Sequence, residues 1–171
     1  SFEILTLNSG STVNYNRAGI QTVNPVSYYN LTLSNSSAKT MTSVTTIGGD
    51  LTVSGSATMT GNAAFTVTGA LNYSSSGSTT LTVSTPISIG KMNQTAGTII
   101  DNANTITVTG TGVSTWIRSS GTFTATGTAT FTGATPQIGL SNFYDLTITK
   151  NATFTGSCTV TGTFRDTPTT A

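Results

Sequence analysis

One phrase, Thr-x-Thr-Gly or a near variant, returns along the whole chain. It is seen in "AFTVTG" (64–69), "TITVTG" (105–110), "TFTATG" (122–127), "ATFTG" (129–133) and "TVTGTF" (159–164), with "DLTVSG" (50–55) and "TLTVST" (80–85) as close relatives. Each stretch alternates Leu, Ile, Val or Phe with Thr or Ser, and most stop at Gly or a Ser/Asn turn. Period-two alternation sends apolar side chains to one face of a strand and hydroxyls to the other. Gly, Thr, Ser and Asn recur too often for a sustained apolar stripe of helical period. Many short, closely spaced strands follow.

Two architectures suit such strands: an antiparallel β-sandwich of the pilin type, or a solenoid. Internal repetition decides between them. From Leu31 in "NLTLS" the next equivalent phrase begins at Leu51, and from Leu146 in "DLTIT" it is reached at Phe164. The spacing from Leu81 to Ile106, and from Ile106 to Phe123, falls in the same range. A step of about 17–25 residues matches one coil of a β-helix. The expected fold is a single all-β domain over 1–171, a right-handed parallel β-helix, with the sandwich as alternative.

A longer phrase is written twice. "YYNLTLSN" (28–35) returns as "FYDLTITKN" (143–151). In a solenoid a coil buries its apolar edge only against its neighbours, so equivalent coils need equivalent inward residues. Leu31, Leu33, Leu146 and Ile148 are expected to point inward, and Thr32 and Thr147 outward. Tyr28, Tyr29, Phe143 and Tyr144 are expected to fill a wide corner. Asn30 and Asp145 are expected to bond the backbone there, as Asx residues do in turns. Since an amide and a carboxylate exchange at this place, the phrase reads as structural rather than catalytic.

The order "STVNYNRAGIQTV" (11–23), "YYNLTLS", "KTM" and "GDLTVSG" resembles repeats of very large secreted and cell-surface proteins of bacteria, the adhesin-like or filamentous-haemagglutinin-like β-helix proteins. The resemblance covers 11–60 well and 128–164 in part, with a short Thr/Pro tail at 165–171. It implies a right-handed parallel β-helix used as a stalk, adhesive surface or fibre material.

Composition narrows the function classes. Charged residues are 6% of the chain and the net charge is +1, with 41 Thr and 21 Ser. Disorder is disfavoured by the low net charge and the abundance of β-formers. Arg17, Lys39, Lys91, Arg118, Lys150 and Arg165 are scattered singly, whereas a nucleic-acid surface clusters its cations. No apolar run is long enough to span a bilayer. The chain opens at Ser1 without a signal-peptide pattern, and so reads as a mature or excised piece of something longer. Low charge with abundant Thr, Ser and Asn suits an extracellular or cell-surface setting.

Catalysis is not expected. There is no His, so no conventional triad. One cysteine, Cys158, permits no internal disulfide and no Cys-cluster metal site; a small buried apolar role is expected, with an intermolecular disulfide as the alternative. No cofactor or metal motif is present. The carboxylates Glu3, Asp50, Asp101, Asp145 and Asp166 occur alone, as turn residues do, although stacking could gather Asp50, Asp101 and Asp145 on one edge. Trp116 in "STWIRSS" is a candidate platform for a surface glycan, against the plainer role of covering a coil edge. Asn30, Asn35, Asn72, Asn93 and Asn151 each begin an Asn-x-Ser/Thr sequon.

Thr-x-Thr rows also resemble those of ice-binding solenoids. Unequal coil lengths should spoil a uniform grid, so the deciding observation is whether the pairs line up on one flat face. The function expected is that of a structural subunit or module building a surface fibre, sheath or stalk, partnered by itself or by flanking repeats. A segment of a glycan- or surface-binding adhesin is the alternative, and ice binding a distant third.

Overall fold

The computed structural model describes residues 7–43, 46–61, 63–76 and 80–167, and every regular element among them is a β-strand. The strands pair only in parallel and build a β-solenoid of about seven turns. That parallel pairing excludes the antiparallel sandwich.

Three faces wind around one core. The first face stacks Thr12–Tyr15, Asn30–Leu33, residues 51–55, residues 71–75, residues 91–94, Trp116–Arg118, Gln137–Ile138 and Thr153–Phe154. The second stacks Gln21–Val23, Ser36–Met41, residues 56–61, Thr80–Val83, Thr98–Ile100 and Thr122–Thr124. Its next places are taken by a separate ladder of Ser141–Phe143 with Cys158–Val160. On the third face a bridge from Tyr28 to Ile47 leads to residues 66–67, residues 87–89, Ile106–Val108, Thr128–Phe131, Asp145–Ile148 and Phe164–Asp166. Phe164–Asp166 is therefore a paired strand, so the tail expected from 165 onward starts later.

The faces hold register while the corners absorb the length differences. Leu31, Leu51 and Leu71 stack directly, 20 residues apart. The step widens to 24 between Met92 and Trp116 and narrows to 16 between Ile138 and Phe154. Two pairings drawn from spacing alone are wrong. Leu81 lies beside Ile99, and Ile106 lies beside Ile87 and Ala129; Phe123 belongs with Ile99 on another face. Inward residues of all three faces share one chemistry, so spacing cannot tell them apart.

The core is a column of inward side chains. Leu31, Leu33, Leu51, Val53, Val67, Leu71, Ile89 and Val108 are fully buried, each stabilising by about 1.5–3 kcal/mol relative to exposure. Toward the later coils the filling turns aromatic. Trp116 meets Phe123, Phe131 and Phe143 with centroids at 5.2, 5.8 and 5.4 Å, in edge-to-face or tilted geometry that suits ring quadrupoles. Trp116 is 1% exposed. It neither covers a coil edge nor offers a platform to a glycan, because rings from the other two faces close around it.

The corners explain the glycines. At the corner from the third to the first face, a Cβ on Gly69, Gly110 or Gly133 would strike the backbone of the neighbouring coil. The final Gly of Thr-x-Thr-Gly is therefore a steric requirement. At the corner from the first to the second face, Asn35, Gly55, Gly97 and Gly121 all adopt positive φ, at 71°, 68°, 68° and 83°. Asn and Gly are the residues that tolerate that region most readily.

Candidate functional site

The repeated phrase places its Asx side chain between coils. Asn30 Oδ1 accepts the Asp50 N–H at 2.9 Å, and Asp50 Oδ1 accepts the Ala70 N–H at 2.8 Å, one coil further on. Asp145 Oδ1 accepts the Thr163 N–H at 2.6 Å in the same way. The expected bond within the residue's own turn is thus replaced by a bracket to the next coil. A Cβ at Gly49, Gly69 or Gly162 would collide with the bracketing Asx oxygen, which is why a glycine precedes each of the N–H groups it holds.

The phrase nevertheless occupies two different phases. Asn30 stands at the corner between the third and first faces, and Leu31 stacks on Leu51. Asp145 stands between the second and third faces, and Leu146 stacks between Ala129 and Phe164. Leu31, Leu33, Leu146 and Ile148 point inward and are at most 2% exposed, while Thr32 and Thr147 are half-buried on the outer side. The aromatics do not all fill a corner. Tyr28 and Phe143 enter the core, Tyr29 is half-buried, and Tyr144 is 45% exposed. Burial, then the Tyr15 hydroxyl at 3.0 Å, raises the Tyr28 pKa far above the usual phenol range.

The carboxylates do not assemble. Asp50 sits at one corner, and Asp101 and Asp145 at another in different coils. Asp101 is 2% exposed and accepts from the Thr126 N–H at 2.8 Å, Thr126 Oγ1 at 2.8 Å, the Gly127 N–H at 3.0 Å and the Ala103 N–H at 3.3 Å. It serves its own turn and the next coil together. Among the described residues no three His, Cys, Asp or Glu side chains come together as a metal site, and no helix is long and apolar enough to cross a membrane. Glu3 lies outside the described residues.

Among the buried polar side chains that escaped the sequence reading, Lys39 and Gln94 are the longest. Lys39 is 0% exposed and donates from Nζ to Arg17 O at 2.7 Å, Gln21 Oε1 at 2.9 Å and Gly19 O at 3.1 Å. Burial, then the Arg17 charge, lowers its pKa from the usual lysine value. Gln94 is 1% exposed and donates to Thr122 O at 2.8 Å and Gly97 O at 3.1 Å. Strand parity could have found Lys39, since Met41, two places on, also points inward.

Most sequon amides serve the ladder. Asn93 Nδ2 donates to Asn72 Oδ1, Asn35 Nδ2 donates to Asn16 O, and Asn30 is the bracket above; Asn151 is exposed.

The last described coil has no coil over it. Phe154 from the first face, Cys158 and Val160 from the second and Phe164 from the third surround a cavity of about 350 Å³ floored by Leu146. Phe154 is 45% and Phe164 51% exposed, although their neighbours on the same inward columns, Ile138 and Leu146, are buried. Cys158, expected to be buried, is only half-buried here; its thiol lies 3.2 Å from Gly139 O, and burial raises its pKa.

The Thr-x-Thr stretches divide among the faces. Thr122–Thr124 lies on the second and Thr153–Thr155 begins on the first. On the third face Thr66, Ser88, Thr107, Thr130 and Thr147 form one outer column in direct register. Within that face the column stays in register, because corners take up the unequal lengths. No protein-family model, curated protein or solved structure matches this chain, so its functional reading rests on this geometry.

Proposed function

We propose that the chain is a stacking module of an extended extracellular β-solenoid, a fibre or stalk whose role is length and stiffness. The observation that carries this is the stack of about seven parallel coils on one continuous apolar column, whose last described coil presents Phe154, Val160 and Phe164. Elsewhere in the molecule side chains at those inward positions are covered by the next coil. Uncovered apolar surface and unpaired strand edges are what solenoid ends normally hide.

The covering element in this reading is one more coil of the same kind, from a second copy or from a flanking repeat of a longer chain, and self-stacking is the form tested below. Among the described residues Thr12–Tyr15 pairs only with Asn30–Leu33, and Thr153–Phe154 only with Gln137–Ile138. Among the described residues these two unpaired edges run in the same direction and face opposite ways along the axis, so head-to-tail contact leaves an edge open and propagates. Val13, Tyr15 and Val26 are only partly buried at the opposite end. No catalytic step belongs to this reading, and the well-bonded Asp50, Asp101 and Asp145 support it.

The test is solution mass against concentration, with electron microscopy of the same samples. The unmodified chain is expected to grow into uniform filaments, and Phe154→Arg to remain monomeric with unchanged circular dichroism. Monodisperse monomers of the unmodified chain at every concentration would overturn self-stacking and favour flanking repeats of a longer chain as the cover.

A further inference from the structure

The third face carries more than a column of hydroxyls. Beside Thr66, Ser88, Thr107, Thr130 and Thr147 runs a second outer column two residues on: Thr68, Gly90, Thr109, Thr132 and Thr149. Three consecutive coils therefore present complete Thr-x-Thr pairs, at 107/109, 130/132 and 147/149, with a fourth pair at 66/68. The intervening Ser88/Gly90 rung lacks the pair, and a bulge between Val67 and Ala70 shifts the register beside Thr68.

The second column repeats one side-chain arrangement. Thr109 Oγ1 donates to Ile89 O at 3.3 Å, Thr132 Oγ1 to Val108 O at 3.4 Å and Thr149 Oγ1 to Phe131 O at 3.2 Å. In each case the acceptor is the inward residue of the preceding coil. That common bond gives the three side chains one orientation and leaves each hydroxyl oxygen its acceptor capacity. Neither column contains an ionisable side chain until Arg165 in the last coil.

We infer that this third face binds ice, through a layer of ordered water seated on the paired threonine columns. Rungs stand about 4.8 Å apart and alternate residues about 6.6 Å apart along a strand. This two-dimensional repeat is close to the spacing of water oxygens in hexagonal ice. A charge-free surface of that kind suits a neutral crystalline ligand and lacks the groups an ionic one requires. Each neutral hydrogen bond is weak, about 0.5–1.5 kcal/mol, so affinity needs many held at fixed spacing. The solenoid supplies that, because its backbone is ordered before the ligand arrives. Bridging water can carry such contacts nearly as well as direct bonds.

The first face does not offer the same lattice: its corresponding column holds Asn14, Asn72, Asn93 and Ile117, which differ in length and branching. The second face also carries a threonine column, Thr22, Thr40, Thr60, Thr82 and Thr124, but Ile100 interrupts it between Thr82 and Thr124 and leaves Thr122 and Thr124 as an isolated rung. The third face is the one with three consecutive complete pairs at its later coils.

The probe is polycrystalline ice itself. Growth of ice grains during annealing, and the shape of single crystals, are recorded with the purified chain against a buffer control. The unmodified chain is expected to halt grain growth and facet the crystals. Thr132→Arg should raise the effective concentration about tenfold, or ~1.4 kcal/mol. Thr130→Val, which keeps the branched shape and removes the hydroxyl, should weaken the effect less. Ser74→Arg on the first face should leave it unchanged. No effect of the unmodified chain, or equal losses from Thr132→Arg and Ser74→Arg, would overturn the inference. Phe154→Arg separates this reading from self-stacking: it should abolish filaments and keep the ice activity per chain.

Discussion

The coils around Leu31 and those around Leu146 begin with the same phrase, yet they are built differently. The first group repeats every 20 residues with leucine stacked on leucine, from Leu31 through Leu51 to Leu71. The second takes unequal steps and fills its interior with Trp116, Phe123, Phe131 and Phe143. What they share is the corner: an Asx oxygen, an N–H from the next coil and a glycine that leaves room between them. The comparison separates two codes. Alternation with Asx and Gly specifies how a coil locks to its neighbour, on whichever face it falls. Core volume is set separately, by which large side chains meet across the three faces.

The largest predicted effect tests the core half of that statement. Trp116→Ala removes the ring that touches three others, so it should cost about 3–5 kcal/mol in urea unfolding. Leu51→Ala, in the regular stack, should cost about 2–5 kcal/mol and leave a smaller void to be filled. If the two losses are equal and Trp116→Phe recovers nothing, the aromatic cluster has no special weight in the later coils.

Much of this fold was legible because its local rules are strict. Thr-x-Thr-Gly reports an outer pair, the inward residue between them and the corner that follows, all from five or fewer positions. The parallel solenoid and the inward places of Leu31 and Leu146 follow from that. Face assignment was not legible. Ile106, Leu81 and Phe123 obey the same alternation, and only the corner backbone, where loops of different length turn by similar amounts, decides their neighbours. Trp116 was hidden for a related reason. Polar bends flank its short strand, so no apolar run announced a core residue. The Thr columns were misjudged because unequal coil length was taken as a break in the lattice, whereas insertions at corners leave the faces in register.

Lys39 sharpens the comparison from the opposite direction, since it is a charge placed where the later coils put rings. Burial holds its pKa below the usual lysine value. In the interval between the lowered and the usual value the unfolded chain binds more protons than the folded one, so stability rises with pH there. At lower pH both forms are protonated and that gain is lost. As pH rises toward the usual lysine value the unmodified chain should therefore gain on Lys39→Met, by no more than ~1.4 kcal/mol per pH unit. Parallel stability curves for the two proteins would show that the ammonium is not desolvated enough to matter.

The smallest effect asked for is the most specific, because it exchanges the two phrases at their point of difference. Both brackets use one acceptor oxygen, supplied by an amide at Asn30 and a carboxylate at Asp145. Asn30→Asp keeps the oxygen that receives the Asp50 N–H but gives up the Nδ2 contact to Thr12 Oγ1 at 3.4 Å, and it places a second carboxylate beside Asp50. Asp145→Asn keeps the bond from Thr163 and trades a charge-assisted bond for a neutral one. Each exchange should cost less than about 0.5 kcal/mol in chemical unfolding, whereas Asn30→Ala or Asp145→Ala should cost about 0.5–1.5 kcal/mol, since water replaces the lost acceptor at these exposed corners. Hydrogen exchange at the Asp50 and Thr163 amides distinguishes the cases directly: protection should survive the exchanges and fall in the alanine variants. Protection lost equally in both would mean that the corner is held by its ladder bonds alone, and that the repeated Asx is incidental to the coil-to-coil lock.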